Sequence, residues 1–122
     1  MRRVLVVDDE PEIVEILSRF LNFKGYFSLK AFGGREAIDI LKTQEVDLIL
    51  LDIKMPQVDG IQVLRTIKDL DKKPKVLVMS GSLDLKRYVQ KLKQLGYSEE
   101  NFLVKPVRLE EVVDKIDEIF GE

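Results

Sequence analysis

The stretch "VLVVDDEPEI" (4–13) decides how the chain is read. Four apolar residues run without interruption, and Asp8, Asp9 and Glu10 follow at once. An unbroken apolar run of this length reads as a strand buried on both faces, as in a parallel sheet. Three adjacent carboxylates at its end repel one another, so their company implies a positive species beside them.

Similar runs recur along the chain: "LILL" (48–51), "VLVM" (76–79) and "FLV" (102–104). A fifth stretch, "YFSLKAF" (26–32), partly alternates, with Ser28 and Lys30 facing away from Phe27, Leu29 and Ala31, which suits an edge strand. Helical spacing fills the intervals. Ile13, Leu17, Phe20 and Leu21 share one face, with Pro11 tolerated in the first turn and Gly25 placed to end the helix. Ala37, Ile38 and Leu41 mark a second helix, preceded by Gly33-Gly34, which read as a turn. Ile61, Leu64 and Ile67 mark a third, capped by Asp59. Leu85, Tyr88, Val89, Leu92 and Leu95 mark a fourth, closed by Gly96, and the run from Leu109 to Phe120 supplies a fifth. The order is (βα)5. Right-handed crossovers make it a doubly wound, flavodoxin-like α/β fold, with strand order 2-1-3-4-5 expected because 26–32 looks like an edge.

Composition limits what such a fold can do. With 122 residues the chain suffices for one domain, and 45% hydrophobic against 34% charged residues is a globular balance. The net charge is −2, so no field of one sign suggests nucleic-acid binding. No apolar run is long enough to span a bilayer, and no leader pattern is present, so a cytoplasmic setting is expected. Cysteine and histidine are both absent. Any ion bound here must take oxygen ligands, which points to Mg2+, Mn2+ or Ca2+ rather than zinc. After the fifth helix only Gly121 and Glu122 follow, and the expectation is a single domain over 1–122 with no output domain.

In a parallel sheet the strand ends lie along one edge, and ligands of open α/β sheets bind there. Asp8 and Asp9 follow strand one, Asp52 strand three, Ser80 strand four and Lys105 strand five. Three carboxylates, one hydroxyl and one ammonium should therefore converge. Two like charges about 4 Å apart repel by roughly 4 kcal/mol at an effective dielectric of 20, and a divalent cation removes that cost. Asp9 and Asp52, with Asp8 directly or through water, could hold Mg2+, with Mn2+ as the alternative. Such a site suits phosphoryl transfer. Asp52 is the natural nucleophile, and Lys105 and Ser80 would hold the phosphoryl oxygens that the metal does not.

Together "VDDEPEI", "LLDIKMPQVDG", "MSG" and "FLVKP" resemble the receiver domain of bacterial two-component response regulators, over essentially the whole chain. The resemblance implies a signalling receiver rather than an enzyme in the ordinary sense, one that takes part in its own phosphorylation and slow dephosphorylation. It implies Asp52 as phosphoacceptor, and a Mg2+ site from Asp8, Asp9, Asp52 and the backbone carbonyl of Lys54. It also implies Ser80 and Lys105 on the phosphoryl group, Phe102 as the aromatic switch residue and a cis Lys105–Pro106 bond. The partners implied are a histidine kinase or a histidine phosphotransfer protein upstream, and a protein target of unknown identity that reads the surface of helix four, strand five and helix five. Two features depart from the family's usual pattern: "GYSEENF" (96–102) makes a longer join before strand five, and Lys54 and Ser82 occupy variable positions near the phosphoryl group.

Other functions on this scaffold fit less well. Haloacid dehalogenase-like phosphatases want a second acid two residues after the nucleophile, where this chain has Lys54. A flavodoxin-like cofactor binder needs a phosphate-cradling loop after strand one, and "DDEPE" would repel a phosphate. A silent scaffold would have no use for the intact set of Asp8, Asp9, Asp52, Ser80 and Lys105.

Overall fold

The computed structural model describes residues 1–121; Glu122, the last residue of the expected domain, lies outside them. Strands β1 (Arg3–Val7), β2 (Phe27–Ala31), β3 (Leu48–Leu51), β4 (Lys75–Gly81) and β5 (Phe102–Lys105) form one parallel sheet in the order β2-β1-β3-β4-β5. Helices α1 (Pro11–Phe23), α2 (Gly34–Thr43), α3 (Gly60–Lys68), α4 (Ser82–Gln94) and α5 (Leu109–Phe120) connect and flank it.

The pleat sorts the core into two compartments. Leu5, Val7, Ile49, Leu51, Val76 and Val78 face α2, α3 and α4, whereas Val4, Val6, Leu48, Leu50, Leu77 and Met79 face α1 and α5. Residues 4–7 of β1, 48–51 of β3 and 76–79 of β4 are therefore dry on both faces, which is why these runs are continuously apolar rather than alternating. Each fully buried Leu or Ile contributes roughly 1.5–3 kcal/mol relative to exposure. At the edge, β2 keeps Phe27 and Lys30 exposed, and Lys30 pairs with Glu15 on α1 at 3.2 Å.

Helix ends follow the expected chemistry with two corrections. Asp59 caps α3 through a reciprocal pair of bonds with Gln62, at 3.1 and 3.0 Å. Gly25, Gly96 and Gly121 take positive φ just beyond α1, α4 and α5. The first correction concerns Gly34, which is not a turn residue but the first residue of α2. A Cβ there would stand 2.2 Å from the Val58 carbonyl oxygen, so the position needs glycine for close approach to the β3–α3 loop. The second concerns strand length: β4 and β5 run further than their apolar cores, so Ser80 and Lys105 lie inside the strands rather than after them.

The longer join before β5 folds into a short 3-10 turn (Glu99–Asn101). Ser98 and Asn101 bond to each other across it, and the Asn101 side-chain amide donates to the Val76 carbonyl at 3.0 Å.

Candidate functional site

The C-terminal ends of β1, β3, β4 and β5 bring the expected residues together. The Asp52 backbone N–H donates to the Val7 carbonyl, which ties the end of β3 to β1 and sets Asp52 beside Asp8. One carboxylate oxygen each from Asp8, Asp9 and Asp52 lie within 4.8 Å of one another. Asp8 is fully buried, Asp52 is 7% exposed and Asp9 stands open to solvent. Ser80, buried on β4, donates from Oγ to Asp52 Oδ1 at 3.1 Å. Lys105 Nζ donates to Asp8 Oδ2 at 3.0 Å and reaches Asp52 Oδ2 at 3.5 Å. The two oxygens of Asp52 are thus held from different strands, one by a hydroxyl and one by an ammonium.

The acidic pair does not cap α1. Glu10 is the residue before the helix and makes no side-chain cap bond, while Asp8 Oδ1 accepts from the Glu10 backbone N–H at 3.0 Å. That bond fixes the turn out of β1 and aims the second Asp8 oxygen at Lys105. The Lys105–Pro106 bond is cis, as the resemblance implied.

The electrostatics carry the strain of crowding. Burial pushes the Asp52 carboxyl above the ordinary carboxylate range; Lys105 pulls it back, the Asp8 charge adds to the rise, and the hydrogen bonds from Ser80 and Lys105 lower it again. Burial also works against the Lys105 ammonium, but its bond to Asp8 and the charges of Asp52 and Asp8 outweigh that, and its pKa is raised. One lysine against three carboxylates leaves an excess of negative charge. An all-oxygen cluster of this kind, partly open to solvent at Asp9, fits a hard divalent cation.

A pocket of about 620 Å³ opens above Asp52, lined by Glu10, Lys54, Ser80, Gly81, Asp84 and Lys105 among others. Lys54 is exposed at its rim. Phe102 begins β5, half-buried against the α4-side compartment, and pairs in register with Val78, two residues before Ser80. Asp84 had no motif to announce it: a single Asp in a helical pattern reads as a solvated side chain, and only the fold carries it to this pocket.

Comparison with known proteins agrees with this arrangement. The family model described as the response regulator receiver domain matches residues 4–117. Sporulation initiation phosphotransferase F of Bacillus subtilis (strain 168) is 34% identical over 116 residues, covering 93% of this chain and 90% of that protein. Response regulator GtcR of Aneurinibacillus migulanus is 32% identical over 115 residues, which cover 94% of this chain and 46% of the relative, so the chain spans about half the length of that protein. Among solved structures, response regulator protein TrrA from Thermotoga maritima, in complex with Mg2+–BeF, superposes with a TM-score of 0.81 at 32% identity, covering 98% of this chain and 99% of that one. With a family model matched over nearly the whole chain and a relative of 34% identity covered almost end to end, the chain belongs to the response regulator receiver domains, the signal-transducing units of two-component systems.

Proposed function

We propose that Asp52 accepts a phosphoryl group from a histidine kinase or a histidine phosphotransfer protein, and that the modification switches a surface read by a protein target. The chain acts as one receiver unit over 1–122. The observation that carries the reading is the division of labour around Asp52. Its carboxylate is buried and crowded by Asp8, yet each oxygen has its own donor, from Ser80 and from Lys105.

In the transfer an Asp52 oxygen attacks phosphorus, the P–N bond of phosphohistidine breaks, and the imidazole leaves with the electron pair and a proton. Asp8, Asp9, Asp52 and the Lys54 backbone carbonyl would hold Mg2+, which when bound supplies charge neutralisation for the phosphoryl oxygens. Lys105 takes a phosphoryl oxygen by turning its ammonium from Asp8 and Asp52, and the Ser80 hydroxyl takes another. The new group adds roughly −1.5 to −2 charges. Ser80 rotates toward it, and the room it leaves lets Phe102 move inward, which changes the surface of α4, β5 and α5. That is a shift between two packings of one fold.

The test is intact mass after incubation with acetyl phosphate, with and without Mg2+, on the parent and on Asp52→Ala. The expected result is a Mg2+-dependent gain of one phosphoryl group that the variant lacks. No gain in the parent, with Mg2+ binding verified separately, would replace this reading with a silent scaffold.

A further inference from the structure

Three charged side chains on the rim of the pocket above Asp52 stand outside the arrangement described so far: Glu10 from the turn after β1 and Lys54 from the β3–α3 loop, both exposed, and Asp84 from the first turn of α4. Asp84 is half-buried, although Ser82 and Leu83 before it are exposed. Its carboxylate makes no hydrogen bond or ion pair among the described residues. It bends back toward the end of β4: a Cβ built on Gly81 would lie 3.9 Å from Asp84 Oδ2, with nothing else near. A carboxylate held over the pocket without a partner projects its charge into it.

We propose that Asp84 selects among phosphoryl donors by charge, favouring those whose leaving group departs neutral over those whose leaving group departs as an anion. This rests on the reading of Asp52 as the phosphoacceptor. In phosphoryl transfer the attacking oxygen, phosphorus and leaving atom stand roughly in line. Asp52 forms the buried floor, so the leaving group faces the mouth, where Lys54 and Asp84 are, with the solvent-exposed and therefore better screened Glu10 on the β1 side. With a phosphohistidine or phosphoramidate donor the P–N bond breaks, nitrogen takes the electron pair and a proton, and neutral imidazole or ammonia departs. With acetyl phosphate the P–O bond breaks and acetate departs with the negative charge. Charge develops on the leaving atom in the second case, beside the carboxylate of Asp84. Lys54 acts in the opposite sense on the same atom.

The experiment measures phosphorylation rate constants of the full chain with acetyl phosphate and with phosphoramidate, at matched Mg2+ and ionic strength. The readout is their ratio, which a structural effect on α4 would leave alone because both donors use the same site. Asp84→Asn is expected to raise the acetyl phosphate to phosphoramidate ratio by about three- to tenfold at low salt, with the gain shrinking at high salt. Asp84→Glu restores the parental ratio, and Lys54→Ala lowers it. A ratio unmoved by Asp84→Asn, or two rates changed by the same factor, overturns the inference while leaving Asp52 as the acceptor. A parent that neither donor labels removes the acceptor reading, and this inference with it.

Discussion

Asp52→Asn should make the apo protein more stable, not less. The substitution keeps the shape and lets Ser80 still donate to an oxygen, but it removes one charge from the cluster. Carboxylate oxygens that all lie within 4.8 Å of one another repel pairwise by at least about 3.5 kcal/mol at an effective dielectric of 20. Lys105, at 3.5 Å, returns about 5 kcal/mol to Asp52 on the same scale. Losing two repulsions and one attraction leaves a balance of about 2 kcal/mol in favour of the variant, and relief of desolvation adds with the same sign. Solvent at the open Asp9 trims the figure, so a gain of about 1–3 kcal/mol is expected, on the order of 5 °C in Tm.

The assay is thermal unfolding followed by circular dichroism, first in EDTA and then in millimolar Mg2+. Because the folded-state pKa of Asp52 is raised, its carboxylate destabilises the fold as pH rises through that value. The advantage of Asp52→Asn should therefore be full at neutral pH and vanish below the ordinary carboxylate range. Mg2+ should stabilise the parent by mass action and the variant much less, closing the gap. A variant that is no more stable than the parent in EDTA, or one that gains as much from Mg2+, would refute the argument from crowded charge.

Three further outcomes follow from the same geometry. Lys54→Ala should shorten the life of the phosphorylated state by about threefold, or ~0.6 kcal/mol of barrier, because Lys54 at the pocket rim screens the phosphoryl group from attacking water; decay followed by intact mass checks this, and an unchanged rate removes the shielding role. Gly34→Ala should cost about 2 kcal/mol or more in urea unfolding, because its Cβ meets the Val58 carbonyl at 2.2 Å. Gly33→Ala, with open space around it, should be close to neutral, and similar losses at both positions would refute the packing account. Asp59→Ala should cost about 1 kcal/mol through the lost α3 cap and leave Mg2+ affinity, measured by calorimetry, where it was.

What the chain revealed beforehand followed from periodicity and from charge. The run 48–51 reads as a doubly buried strand, and β3 occupies those four residues. Asp8, Asp9, Asp52, Ser80 and Lys105 could be brought together in advance because parallel strands share an edge. Strand ends were less legible: Ser80 and Lys105 are polar, so periodicity stopped short of them, while ladder pairing with neighbouring strands carried β4 and β5 on. Gly34 was misread because its constraint is a contact with Val58, far along the sequence, which no local pattern records. Asp84 was invisible for the same reason, since only the docking of α4 decides that it overlooks Asp52.

The bond from the Asn101 side chain to the Val76 carbonyl has a consequence for how this chain tolerates change in length. Surplus residues after α4 are wound into one tight coil and clamped to the lower end of β4, so β5 starts in step with its neighbour and Phe102 still falls opposite Val78. Slack is stored at the pole of the molecule opposite the chemistry. The pole that carries Asp52 and Lys105 keeps its spacing because the extra length of chain is taken up at the opposite one.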